Sequence, residues 1–173
     1  MQIIYKKNLV DSVGLRITEI RIASPHIARK ALPGEFVVLM VNKEGERIPL
    51  TIVNADKQNG IITLIFQEAG FSTVLLGKMA VGDSLYALAG PLGHPTEIKI
   101  YGRVILVGGG VGIAEIYPVA AALKQKGNRV ITILGSRTKD ILILEKELKA
   151  VSDELYVATD DGSYGIKGFT TDV

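Results

Sequence analysis

The first hundred residues repeat one pattern: short apolar segments, "QIIYKKNLV", "GLRITEIRI", "FVVLMVN", "IPLTIVN" and "GIITLIFQE", each bounded by Gly, Pro, Asn or Asp. "LRITEIRI" alternates apolar and polar, as a strand with one wet face does. Five or six such strands at close spacing predict a small antiparallel barrel or sandwich. "STVLLGKMAVGD" breaks the rhythm and reads as a short helix capped at Ser72 or Thr73 and ending between Gly77 and Gly82. After Tyr101 the period changes. Near-continuous apolar strands ("RVILVG", "RVITILG", "ELYVATD") alternate with helical stretches at about 113–126 and 138–150, which predicts a βαβαβ unit around a parallel sheet. The expected boundary lies at 98–102, giving domains 1–100 and 101–173. An open parallel sheet normally carries more than three strands, with helices on both faces. The α/β half is therefore expected to be C-terminally incomplete: a fragment, or a face that a partner covers.

Composition narrows the chemistry. With 173 residues, 47% of them hydrophobic, the chain buries a real core and disorder is not expected. The 20 basic and 18 acidic side chains are interspersed and leave a net charge of +2, which argues against a nucleic-acid footprint or an anionic-membrane patch. No apolar run reaches the roughly 18 residues that span a bilayer, and the N-terminus lacks a secretory pattern, so a cytoplasmic location is expected. There is no cysteine, and His26 and His94 stand alone, so no disulfide, thiolate ligation or ordinary zinc site is expected. Chemistry must come from a bound organic cofactor, or from carboxylates and hydroxyls.

"GGGVGIAE" does not fit the G-x-G-x-x-G spacing in any register. What remains is a strand, then a turn containing Gly109, Gly110, Val111 and Gly112, then a helix from about Ile113. Such a turn lets backbone approach a pyrophosphate and aims helix amides at it; it also serves as a plain strand-to-helix connection. The next strand ends in Ser136 and Arg137, where an NAD site usually offers an acidic residue; a hydroxyl and a guanidinium suit a 2′-phosphate instead, or Arg137 is simply solvated. Asp160, Asp161, Gly162 and Ser163 follow the third strand at the carboxyl edge, as lining for a nicotinamide ribose or as ordinary turn chemistry. In the first half, Gly70, Ser72 and Thr73 of "AGFST" form either a phosphate seat at a helix N-terminus or a helix cap.

Seven segments occur in a recognisable order: "LPGEFVVL", "RIPLTIV", "AGFSTVLL", "GDSLYALAGPLGHP", "VGGGVGIA", "GSRTKD" and "TDDGSYGIKGFTTDV". Together they resemble the ferredoxin–NADP reductase superfamily across the whole chain. The detailed match is to the small flavoprotein subunit of NADH-dependent ferredoxin:NADP oxidoreductase, with the electron-transfer subunit of dihydroorotate dehydrogenase as a close relative. The resemblance implies an N-terminal flavin-binding antiparallel β-barrel followed by an α/β nucleotide-binding domain, with FAD held between them. A barrel-strand element of that superfamily sets an arginine on phosphate, an aromatic against the ring and a hydroxyl at the reactive flavin nitrogen. By that match Pro49 and Leu50 pack on the flavin and Thr51 supplies the hydroxyl, making Thr51 the candidate catalytic residue. Arg47 stands one residue further from Thr51 than the pattern has it; from the residues alone, Arg47 to Thr51 is a strand with a charged start and Leu50 a core position. Ile65, Phe66 and Gln67 resemble residues touching the flavin or its ribityl chain, and Glu115 stands where members usually carry proline.

The implied activity is hydride transfer between NADPH (or NADH) and FAD, with electrons passed on singly to an iron–sulfur partner or ferredoxin. Such transfer needs no protein base, so His94 is expected merely on a loop. The family's small subunit carries its cluster on cysteines of a C-terminal segment, which this chain lacks: that segment is expected beyond Val173, the alternative being direct transfer from flavin to a partner, and the expected partner is a larger flavoprotein or iron–sulfur subunit. Two alternatives stand beside this: an electron-transfer subunit serving a dihydroorotate dehydrogenase, and a flavin- or nucleotide-binding interaction subunit with no turnover of its own.

Overall fold

A computed structural model describes residues 1–173, which divide into two compact units, Met1–Thr96 and Glu97–Val173. In the first, six strands form one antiparallel sheet: β1 (Ile3–Ser12), β2 (Leu15–Ala23), β3 (Phe36–Met40), β4 (Ile48–Asp56), β5 (Ile61–Gln67) and β6 (Ala87–Leu92), in the order β1-β2-β5-β4-β3-β6. Its two ends meet, because the Ile3 amide donates to the Asp83 carbonyl (2.9 Å) and Leu85 to Met1 (3.0 Å), just ahead of β6. The closed sheet is a small barrel. Its interior takes the inward half of each alternation, Ile20 and Ile22 from β2, Val37 and Leu39 from β3, and Ile62, Leu64 and Phe66 from β5.

Two helices attend the barrel: α1 (Pro25–Lys30) and α2 (Phe71–Lys78). The strand rhythm did not announce α1, although Ser24 ahead of Pro25 is a helix-start signal, with proline where its missing N–H costs nothing. α2 begins two or three residues earlier than its hydroxyls predict: the N-cap is Gly70, and Ser72 and Thr73 lie inside the first turn.

In the second unit β7 (Arg103–Gly109), β8 (Arg129–Ser136), β9 (Glu154–Thr159) and the two-residue β10 (Ile166–Lys167) form a parallel sheet in the order β10-β9-β8-β7. Helix α3 (Ile113–Gln125) crosses from β7 to β8. The stretch expected to be helical from 138 is different: a single tight turn covers Lys139–Ile141, and only α4 (Glu145–Ala150) is a helix. Leu144 between them adopts a φ of 56°, outside the helical region, so no continuous helix passes through it. Gly108 is where α3 rests on β7, since a Cβ there would lie 2.9 Å from Ile116 Cδ1. By the strand's period of two, Ile105 and Val107 then face away from α3, and they are 60% and 51% exposed. No helix is long and apolar enough to cross a membrane.

Candidate functional site: two anion seats

In the barrel the candidate residues gather where two strands part. β4 pairs with β3 from Ile48 to Thr51, then transfers to β5 from Ile52 to Asp56. β5 beyond Leu64 is held by β2 alone, with Ile65 opposite Glu19 and Gln67 opposite Ile17. Strands β4 and β5 therefore diverge at Thr51 and Ile65, and the cleft they open has Arg47, Pro49, Leu50 and Thr51 on one wall and Ile65, Phe66 and Gln67 on the other. Pro49 is exposed and Leu50 and Thr51 are half-buried, whereas Phe66 is 2% exposed and packs in the barrel core. What Ile65 and Phe66 offer a ligand is backbone, and Gln67 supplies the polar side chain.

The N-terminus of α2 stands at the end of this cleft. Thr73 braces it: its hydroxyl accepts from the Ala69 (3.1 Å) and Gly70 (3.0 Å) amides and donates to the Gly70 carbonyl. Gly70 itself faces open space, and the first-turn amides of Phe71, Ser72 and Thr73 have no intrahelical acceptor. The other end is fixed by the Lys6 ammonium, which donates to the carbonyls of Gly77 and Met79. Gly77 also lies directly on the Glu68 carboxylate, which accepts from the Thr18 hydroxyl at 2.7 Å, so α2 sits where only a glycine lets it sit. A residue that sequence reasoning passed over stands at this helix N-terminus: the Ser72 hydroxyl donates to Glu46 Oε2 at 2.6 Å. That bond joins α2 to the residue beside Arg47 and sets a carboxylate against the helix N-terminus, a position favourable to negative charge. "KEGER" reads as a charged turn, and no local pattern pairs it with α2.

The second unit offers a seat made of bare backbone. β7 ends at Gly109, a tight turn covers Gly110–Gly112, and α3 starts at Ile113. Gly110 has a φ of 55°, and neither it nor Gly112 has any atom near the place of a Cβ. A bulky anion can thus approach the amides closely. Glu115, in the first turn of α3, is exposed.

Along the same carboxyl edge the loops after β8 and β9 interlock. The Asp160 amide donates to the Ser136 carbonyl (3.1 Å), the Asp161 amide to Arg137 (3.3 Å), and the Lys139 amide to Ser163 Oγ (2.9 Å). Ser136 is buried and its hydroxyl is engaged by the Thr138 carbonyl at 2.8 Å, so of the expected pair the exposed Arg137 alone is available to a ligand. The Ser163 hydroxyl and amide hold the Asp161 carboxyl below the ordinary carboxylate range, so it is ionised at neutral pH. Gly162 closes the turn with a φ of 78°. His94 lies exposed on the loop after β6. No cluster of side chains could hold a metal ion.

No protein-family model matches the chain. It is 49% identical over 151 residues to the dihydroorotate dehydrogenase B (NAD(+)) electron transfer subunit homolog of Thermotoga maritima, covering 87% of this chain and 53% of that protein. It is 36% identical over 179 residues to the dihydroorotate dehydrogenase B (NAD(+)) electron transfer subunit of Bacillus cereus, covering 97% of this chain and 68% of that one. Among solved structures it is similar to an NADH-dependent reduced ferredoxin-NADP oxidoreductase, with a TM-score of 0.91 and 43% identity, over 99% of this chain and 60% of that chain. The chain thus spans between about half and two thirds of the length of these relatives. With a barrel and a parallel nucleotide-binding sheet in the same order, and more than a third of its residues shared over nearly its whole length, the chain belongs to the family of dihydroorotate dehydrogenase B electron transfer subunits, within the ferredoxin–NADP reductase-like fold.

Proposed function

We propose that the chain is the flavin- and nicotinamide-binding part of an electron-transfer subunit, oxidising NAD(P)H and delivering electrons to a partner that carries an iron–sulfur centre. The observation that carries this reading is the barrel cleft, where the diverging strands β4 and β5 and the unsatisfied amides of α2 converge. A strand wall with half-buried apolar positions next to a helix N-terminus suits a ligand with a flat ring at one end and an anion at the other. FAD fits the residues present: the first-turn amides of α2 and the Arg47 guanidinium take the pyrophosphate, Pro49 and Leu50 pack against the ring, and Gln67 binds a hydroxylated chain. Bound there, FAD supplies a two-electron acceptor that can release electrons one at a time. Thr51 presents its hydroxyl to the ring at the point where the strands part. In the second unit, the amides of Gly110, Val111 and Gly112 take the pyrophosphate of the dinucleotide, and Asp160, Asp161 and Gly162 bound its ribose. The protein contributes placement and exclusion of water, and holds no proton for the reaction.

The partner reading rests on the relatives. Several are named electron transfer subunits of dihydroorotate dehydrogenase B, and the similar solved structure is described in terms of flavin-based electron bifurcation. With no cysteine here, the cluster belongs to polypeptide outside these residues. A larger iron–sulfur or flavoprotein subunit, or ferredoxin, is then the acceptor, and the cytoplasm the place of work. Dinucleotide choice is open in the same way: the curated relatives are named for NAD(+), the similar solved structure for both NADH and NADP, and Arg137 is a side chain suited to a 2′-phosphate. If Arg137 reads that phosphate, Arg137→Ala weakens NADPH about tenfold and leaves NADH unchanged; equal effects on both place the phosphate elsewhere.

The reading is tested by Thr51→Ala in the chain reconstituted with FAD. The variant retains flavin and is reduced more slowly by NAD(P)H; an unchanged rate removes Thr51 from the reacting centre. A wild-type chain that binds flavin and dinucleotide but never transfers between them supports the alternative, an interaction subunit without turnover.

A further inference from the structure

Three phenylalanines lie in the barrel unit, and the fold uses two of them. Phe66 packs in the core, and Phe36 lies directly against Gly93. Phe71, the first residue of α2, is 81% exposed, the most exposed of the large apolar side chains on any strand or helix. A ring left in water adds no hydrophobic stabilisation. Nor does a helix start call for phenylalanine, since acidic residues and proline are the ones favoured there.

Its position is what gives the ring a use. Helix side chains lean toward the helix N-terminus, so the ring of a first residue projects past the free amides of Phe71, Ser72 and Thr73 and not back over the helix. Ala69 and Gly70 ahead of it are exposed and small, and no atom stands near the place of a Cβ on Gly70, so the space beside the ring is open. The hydroxyls of the turn are already engaged, Ser72 with Glu46 and Thr73 with the backbone of Ala69 and Gly70. Beyond its amides, then, this end of the cleft offers a flat apolar face.

We propose that Phe71 is the platform on which the adenine of FAD stacks, and that it makes the barrel site select FAD over FMN. The inference rests on the flavin reading of the cleft and extends it to the far end of the cofactor. FAD and FMN share the flavin ring and the ribityl chain, so Pro49, Leu50 and Gln67 treat them alike. Only FAD carries an adenosine beyond a pyrophosphate, and a purine stacks on an aromatic face whatever its hydrogen-bonding edge meets. A protein partner is the poorer occupant, because Phe71 stands between the small Gly70 and the buried Ser72 and belongs to no contiguous apolar patch.

The test measures FAD and FMN affinity of the chain by equilibrium dialysis, for the wild type, Phe71→Ala and Phe71→Tyr. The wild type is expected to bind FAD more tightly than FMN. Phe71→Ala loses about tenfold in FAD affinity and nothing in FMN affinity, with its denaturant midpoint unchanged, while Phe71→Tyr keeps the aromatic face and the wild-type preference. Equal wild-type affinity for the two flavins, unchanged FAD affinity in Phe71→Ala, an equal loss of both flavins, or a Phe71→Tyr variant that behaves as Phe71→Ala would overturn the proposal and leave the flavin reading standing. A wild-type chain that binds neither flavin would overturn both.

Discussion

At the start of α2 the free amides are framed by side chains: Thr73 locks the turn, Ser72 holds a carboxylate in place, and Lys6 anchors the far end. At the start of α3 nothing frames them; Gly110 and Gly112 leave the backbone bare, and nearby specificity comes from loops after other strands. The first arrangement suits a ligand that stays, because a pre-set, partly enclosed seat lowers the ordering cost of each binding event and slows release. The second suits a ligand that must arrive and leave at every turnover. Under the proposed function, a resident flavin in the barrel and an exchanging dinucleotide on the parallel sheet would follow from that difference.

Substitutions that break one seat and spare the other test this division. The largest effect is expected from Gly110→Val, which puts a β-branched residue at a φ of 55° and fills the open approach; such strain is of order 1–3 kcal/mol before any lost contact. NAD(P)H-driven flavin reduction should slow about 100-fold, while flavin content measured by absorbance stays unchanged; loss of the flavin instead would show that the seats are not separable. Next, Thr73→Val removes the hydroxyl that closes the α2 turn. Denaturant unfolding should show a loss of about 1 kcal/mol, and FAD should dissociate about tenfold faster, with NADH affinity unaltered.

The smaller effects concern the two carboxylates. Glu46 and a flavin pyrophosphate compete for the same helix N-terminus, so Glu46→Gln should tighten FAD about threefold in equilibrium titrations; weaker binding would make Glu46 part of the seat and not its occupant. Glu115 is exposed near the other seat and makes no ion pair. Glu115→Gln should improve dinucleotide affinity by about twofold at low salt and not at all at high salt, where an exposed charge is screened. A larger gain that persists in salt would place Glu115 against the ligand.

The barrel strands and the three long parallel strands were legible because alternation and continuous apolar runs survive in any context. The turn at Gly110 was legible because a positive φ demands glycine. Helix α1 was missed because six residues give no periodicity, and its Ser-Pro start went unused. The helix expected from 138 is broken at Leu144, whose left-handed φ of 56° no local propensity of leucine announces. Arg47, Thr51, Gly70 and Gln67 are expected from motif order, yet whether they come near one another depends on where β4 changes partners, a non-local property of register. Glu46 was invisible for the same reason, since its partner lies 26 residues away. Ser136 read as a ligand hydroxyl only until its bond to Thr138 was seen.

The most direct measurement is an anaerobic titration of the FAD-reconstituted chain with NADH and, separately, NADPH, following the flavin's visible absorbance. The two-seat account predicts a chain that retains about one flavin through desalting and bleaches on adding at least one of the two dinucleotides, with bleaching about 100-fold slower in Gly110→Val and flavin retained. A chain that emerges colourless and binds neither flavin nor dinucleotide would contradict it.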